Sequence, residues 1–191
     1  QLISSIMNMQ IRQAKTPDAK RVLQRLQDRI LSLATVHKSL YQNDNLTRVD
    51  GGVLMHEIVN QLLSVGLPSG SGIKVRQNYE AIQLDPDDAA PLTLLVSEAV
   101  TNALKYVSVD QVEKGSIEVS LKYTGPEMAL LTVKNSTGHG EVEEGTGLGS
   151  RLINAFSRQL NGQFQVLEEA DSYTLTVEFP VPQKSKIVYD Y

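Results

Sequence analysis

Residues 94–107 read LLVSEAVTNALKYV, and their spacing predicts a helix with an awkward composition. Leu95, Val96, Ala99, Val100, Ala103 and Leu104 form an apolar stripe of helical period. Glu98 and Asn102 stand one turn apart in the middle of it, and Lys105 follows a turn later. Polar groups near a core cost free energy unless something pairs with them. A carboxylate, an amide and an ammonium gathered on one helix are therefore ordinary surface groups, or groups held toward a charged ligand.

The composition narrows the choice. A chain of 191 residues, 41% hydrophobic and 21% charged, has the balance of a folded protein with one large domain or a small and a medium one. Its formal net charge of -4 argues against general nucleic-acid binding, which shows a basic excess. The absence of cysteine excludes disulfides and thiolate metal sites. His37, His56 and His139 are too widely spaced for a metal-ligand pair. No apolar run approaches the roughly 20 residues that cross a bilayer, so no membrane contact is expected. The chain opens at Gln1 inside a helix-like stretch, as expected of a piece of something longer.

Outward from the opening stretch, two units emerge. Leu2, Ile6 and Met9 have helical spacing until KTPDAK breaks it, where Thr16 can cap a new helix with Pro17 in the first turn. Leu23, Leu26, Ile30, Leu33, His37 and Leu40 then alternate steps of three and four, a heptad seam. One helical hairpin buries little alone, so residues 1–45 are expected to pair with a second copy into a four-helix bundle, as a homodimer. The polar YQNDNLTRVDGG marks a boundary, with the second domain over 50–182 and a tail over 183–191. In that domain Asp50 caps a helix from about Val53 to Val65, and IKVRQNYE and IQL read as strands. DPDDAAP introduces the opening helix. GSIEVSLKYTG and EMALLTVKN alternate with period two around the turn TGPE. After the Gly-rich STGHGEVEEGTGLG come the helix SRLINAFSRQLNG and a hairpin, QFQVLEE with YTLTVEFPV. Helices and strands without strict alternation imply an α+β sandwich, with helices on one face of a mixed sheet.

Three features carry chemistry. An amide oxygen such as that of Asn102 is a hard ligand suited to Mg²⁺, and Lys105 suits a phosphate. NSTGHG follows a strand, and GTGLG, residues 145–149, opens a helix whose backbone N–H groups can approach phosphate oxygens. Each alone is weak, because E-x-x-x-N occurs on many exposed helices and a glycine pattern before a helix is often only a turn. Their combination on one α+β unit is stronger.

These residues resemble a known family. SEAVTNALKYV looks like the N box of the GHKL ATP-binding domain, the catalytic part of sensor histidine kinases, and GTGLGSRLINAFSRQLNG looks like its second glycine box and following helix. QLISSIMNMQIRQ and DRILSLATVHKSLYQ resemble the dimerisation and phosphotransfer hairpin of the HWE-related class, although a chain without Trp lacks the motif that names that class. The resemblance implies an N-terminal helical hairpin, in a dimeric four-helix bundle, followed by an α/β sandwich of the GHKL ATPase type. It implies a protein histidine kinase of a cytoplasmic two-component system, which binds Mg-ATP, phosphorylates its own His and passes the phosphoryl group to an Asp of a response-regulator receiver domain. Asn102 would coordinate Mg²⁺, Glu98 would act catalytically as a polarising group or general base, Lys105 would neutralise phosphate charge and Tyr106 would line the nucleotide pocket. Gly145, Thr146, Gly147, Leu148 and Gly149 would form the phosphate lid.

The match departs from the family at its first glycine box, D-x-G-x-G, whose Asp accepts a hydrogen bond from the adenine amino group. Ser136 takes that place with Gly138 and Gly140 following; alternatively Asn135 takes it, and Thr137 and His139 displace the glycines. Either neutral oxygen can accept the bond, less strongly than a carboxylate. The lid between Gly140 and Gly145 is short, and Ser172 and Tyr173 replace the family's Gly-Thr pair. The acceptor His of the family would fall about two helical turns before Gln1, outside this chain. His37, on the heptad seam, reads as packing, His56 as a helix-surface residue and His139 as a loop residue near the nucleotide. A rival is a degenerate kinase that docks a response regulator without using ATP. A GHKL serine kinase of the anti-sigma type is disfavoured by the hairpin.

Overall fold

The computed structural model describes residues 48–67, 70–107, 115–137 and 148–183, and residues 11, 12, 16, 17, 19, 20 and 23 nearer the N-terminus. The heptad seam with His37, the hairpin as a whole and the last eight residues of the tail lie outside the described residues. At Thr16 the expected cap is formed. The Ala19 N–H donates to Thr16 Oγ1 at 3.2 Å, and the Lys20 N–H donates to the Thr16 carbonyl at 3.1 Å.

From residue 49 the elements run β1 (Val49–Asp50), α1 (Gly51–Gly66), β2 (Lys74–Tyr79), β3 (Gln83–Leu84), α2 (Pro86–Tyr106), β4 (Ser116–Gly125), β5 (Met128–Ser136), α3 (Leu148–Gln159), β6 (Gln163–Glu168) and β7 (Ser172–Pro180). Five strands form one mixed sheet in the order β2-β4-β5-β7-β6. β2 runs parallel to β4 and the remaining pairs are antiparallel. β1 and β3 pair separately as a short antiparallel ribbon, so the strand-like pieces IKVRQNYE and IQL serve different sheets.

Period-two alternation makes this sheet one-sided. Ile117, Val119 and Leu121 of β4, Ala129, Leu131 and Val133 of β5, and Leu175, Val177 and Phe179 of β7 are buried. The register sets them side by side, as in Val119↔Val133↔Leu175 and Leu121↔Leu131↔Val177. The opposite face presents polar rows such as Ser120↔Thr132↔Thr176↔Gln165, with the exposed ion pair Arg76–Glu118 at 2.9 Å. One apolar face requires a cover, which the helices provide. α2 packs between α1 and α3 and lies on β5. It contributes Leu92, Leu95, Val96, Ala99, Val100 and Ala103 to the core, while Leu54, Met55, Ile58 and Val59 come from α1.

Local chemistry fixes where the helices start. Asp50 caps α1, its Oδ1 accepting from the Gly52 N–H at 2.8 Å and the Val53 N–H at 3.1 Å. α1 accordingly begins two residues before the expected start. A second polar device holds α1 to β2: Tyr79 Oη donates to Gln77 Oε1 (3.0 Å), Gln77 Nε2 donates to Asn60 Oδ1 (2.8 Å), and Asn60 Nδ2 faces His56 Nε2 (3.1 Å). Burial pushes the Tyr79 phenol up, which keeps it a donor. Between α3 and β6 the chain needs glycine at 162, where a Cβ would come within 2.7 Å of the Glu178 carbonyl oxygen. No helix among the described residues is long and apolar enough to cross a membrane.

Asp85 occupies the same N-cap position on α2 but makes no side-chain capping bond; Pro86 opens that helix, and Asp87 and Asp88 sit in its first turn. Asp50→Ala should therefore cost about 1 kcal/mol of unfolding free energy. Asp85→Ala should cost less, because Asp85 contributes only an exposed 3.7 Å ion pair with Arg48. Parallel denaturant titrations of the two variants check the contrast.

Candidate functional site

The turns of α2 that meet solvent carry the polar residues. At 100° per residue, Glu98, Asn102, Lys105 and Tyr106 fall within an arc of about 100°. Burial grades along that arc. Glu98 is 7% exposed among core neighbours, Asn102 is half-buried and Lys105 is exposed. Glu98 keeps an interaction partner in this position. Lys105 Nζ donates to Tyr106 Oη at 2.9 Å and lies 4.5 Å from that ring's centroid. The ammonium is thus folded back on its neighbour, at the solvent end of the polar face.

The described part of α3 opens at Leu148, so the last two residues of GTGLG lie in a helical turn. That turn lies directly against the polar face of α2. A Cβ at Gly149 would stand 3.2 Å from Asn102 Nδ2 and 3.6 Å from Asn102 Oδ1. Glycine permits the approach, and the N-terminal N–H groups and positive dipole end of α3 open beside the Asn102 amide. The structure thus brings Asn102 and Gly149 together. Gly138, His139, Gly140, Gly145, Thr146, Gly147 and the side chain of Leu148 lie outside the described residues.

The first glycine box resolves in a way the sequence left open. Asn135 and Ser136 are the last two residues of β5 and must face opposite sides of the sheet. Asn135 shares the helix-covered side with Val133 and is 2% exposed. Its Nδ2 donates to the Ser136 carbonyl at 3.0 Å. A carbonyl oxygen can only accept, so the amide nitrogen is held there and Oδ1 is the group left to accept from elsewhere. Ser136 faces the other side, where its Oγ accepts from the Ser116 N–H at 2.9 Å. Of the two candidates for the family's Asp, only Asn135 lies on the side of α2.

Tyr173 received no role from the sequence. It is the β-bridge partner of Asn135 and stands half-buried on the same side. Burial, then Glu168 and then Tyr106 raise its phenol, which stays neutral. The available signal was register: counting back by twos from Phe179, Val177 and Leu175 puts Tyr173 on the core face. His56 lies exposed on α1, as expected of a helix-surface residue. Among the described residues no group of three or more His, Cys, Asp or Glu is placed to hold a metal ion. A Mg²⁺ held largely by phosphates and water needs only one or two protein oxygens, and the Asn102 amide is a fitting one.

Comparison with known proteins identifies the family and the fold. The family model "Histidine kinase" matches residues 1–65, and the model "Histidine kinase-, DNA gyrase B-, and HSP90-like ATPase" matches residues 87–183, just over half of the chain. The sensor histidine kinase PdtaS of Mycolicibacterium smegmatis is 23% identical over 197 residues, which is 97% of this chain and 38% of that protein. Blue-light-activated histidine kinase 2 of Erythrobacter litoralis is 26% identical over 124 residues, 62% of this chain and 35% of that protein. The chain thus spans well under half the length of these relatives. Among solved structures, the histidine kinase domain of the Erythrobacter litoralis EL346 blue-light activated histidine kinase superposes with a TM-score of 0.70 at 18% identity, covering 93% of this chain and 96% of that one. The catalytic domain of histidine kinase ThkA superposes with a TM-score of 0.57 at 16% identity, covering 72% and 96%. The chain belongs to the histidine kinase-, DNA gyrase B- and HSP90-like ATPase family, in its HWE-type sensor histidine kinase branch.

Proposed function

We propose that this chain is the Mg-ATP-binding catalytic region of a cytoplasmic two-component sensor histidine kinase. It works as a homodimer through the hairpin of residues 1–45, with residues 50–182 as the catalytic domain. It phosphorylates a histidine of its own protein for relay to an Asp of a response-regulator receiver domain. The observation that carries the reading is the contact of Asn102 with Gly149, which joins a hard oxygen ligand to a helix N-terminus at one point.

Phosphoryl transfer asks mainly for positioning and charge neutralisation. The N–H groups at the start of α3 would bind phosphate oxygens, with Gly145, Thr146 and Gly147 completing the lid. Mg²⁺, bound with the triphosphate, would supply further charge neutralisation, and the Asn102 amide oxygen would hold it. Lys105 would leave Tyr106 for a phosphate oxygen. Glu98, held near the reacting end by the core around it, would orient or accept a proton from the attacking group. At the other end, Asn135 Oδ1 would accept from the adenine amino group. The rival scaffold reading rests on the missing Asp; an Asn whose nitrogen is engaged, so that its oxygen is the atom able to accept, supports retained base recognition instead.

Calorimetric titration should give Mg-dependent ATP binding by the wild-type chain, and Asn102→Ala should weaken it at least about tenfold with little change in melting temperature. Absence of binding by the wild type overturns the proposal. Gly149→Ala should act in opposite directions on two measurements. Alanine favours the helix by about 0.5–1 kcal/mol, so thermal stability should hold or rise. The new Cβ crowds the Asn102 amide, so ATP affinity should fall several-fold. A third check compares ATP with inosine triphosphate, which has a carbonyl in place of the amino group. The wild type should prefer ATP by about tenfold or more, since two facing acceptors repel, and Asn135→Ala should bring the two affinities together.

A further inference from the structure

We infer that Tyr173 is the stacking wall of the nucleobase end of this site, a ring against which the purine lies while the neighbouring Asn135 reads its edge; the inference rests on the nucleotide-binding reading above. Tyr173 and Asn135 face each other across the β5–β7 ladder. Directly opposed residues of an antiparallel pair share one face, with Cβ atoms about 5 Å apart. In the three preceding rows of that face, Ala129↔Phe179, Leu131↔Val177 and Val133↔Leu175, every side chain is buried. The Asn135↔Tyr173 row is the last of these before the strands end at Ser136 and Ser172. Tyr173 packs on the core cluster yet remains half-exposed, so it forms the rim where the core stops. The neighbouring strand contributes Glu168, its β-bridge partner, and Tyr106 at the end of α2 acts on the same phenol. β5, β6 and β7 therefore meet at this residue, with the end of α2 near enough to raise its phenol.

A flat, neutral aromatic face beside a hydrogen-bond acceptor matches a purine in two respects: it offers a stacking surface, and it lies next to a group that reads the exocyclic amine. A tyrosine that only sealed the core would have no reason to stand beside an oriented amide at the rim. Leucine would seal it equally well. The ring rather than the hydroxyl does the stacking, so phenylalanine should substitute for tyrosine and leucine should not.

The test uses the chain with its hairpin, titrated in Mg²⁺ with ATP and, separately, with inorganic tripolyphosphate, which has no base. Tyr173→Leu should weaken ATP about tenfold and leave tripolyphosphate unchanged, and Tyr173→Phe should restore ATP binding. The chain has seven Tyr and no Trp, so tyrosine emission gives an independent reading. ATP should quench it in the wild type, and the quenched amplitude should shrink in the well-folded Tyr173→Phe, at retained affinity. Wild-type ATP affinity in Tyr173→Leu, equal losses of ATP and tripolyphosphate, or an unchanged quenching amplitude in Tyr173→Phe each overturns the inference and leaves the nucleotide-binding reading standing. Failure of the wild type to bind ATP at all removes both.

Discussion

Everything in the catalytic unit depends on the burial of α2. This helix lies against the sheet with α1 on one flank and α3 on the other, and most of its residues from Ala89 to Ala103 are buried. Interior polar groups on such a helix must be satisfied where they stand. Thr93 Oγ1 donates to the Ala89 carbonyl at 2.7 Å, and Ser97 and Glu98 each keep an interaction partner. Beyond this buried stretch the last turn of the helix emerges, and there Asn102, Lys105 and Tyr106 lie together. The core thus sets the direction in which the polar stripe faces, so its functional groups are presented by a rigid element rather than a loop.

Two chain ends are brought to that stripe, each by a separate physical device. A glycine lets a turn of α3 close on Asn102, where a Cβ would press within 3.2 Å of the amide. The end of β5 arrives through sheet register, which sends Asn135 toward the helices and Ser136 away from them. The same register delivers Tyr173 opposite Asn135. The two approaches to the stripe thus rest on different elements, α3 on one side and the paired ends of β5 and β7 on the other.

At the end of β5 the group that faces the helices is a neutral amide, that of Asn135. An amide is ambiguous, since it can accept with one atom and donate with the other. The Ser136 carbonyl removes the ambiguity by engaging the nitrogen. What the fold fixes at this point is the orientation of an amide rather than a charge. This suits a side chain that is almost completely buried, because an ionised group there carries a desolvation cost that a neutral one avoids.

The amino-acid sequence alone determined the kind and order of elements, since hydrophobic period, caps and turn residues act locally. Thr16 and Asp50 were readable as caps, the alternation of β4 and β5 as strands, and Glu98 and Asn102 as one helix face, because each pattern depends on near neighbours. The start of α1 was legible only to within about two residues, at Gly51 rather than Val53, because the first turn carries no apolar signature of its own. Tertiary structure decided the rest. Which of Asn135 and Ser136 faces the helices is a matter of sheet register, where a slip of one residue exchanges the two faces. The contact of Gly149 with Asn102, the pairing of β3 with β1 and the place of Tyr173 beside Asn135 likewise join residues far apart in the chain. No local pattern encodes such contacts; they exist only once the one-sided sheet has been covered by its helices.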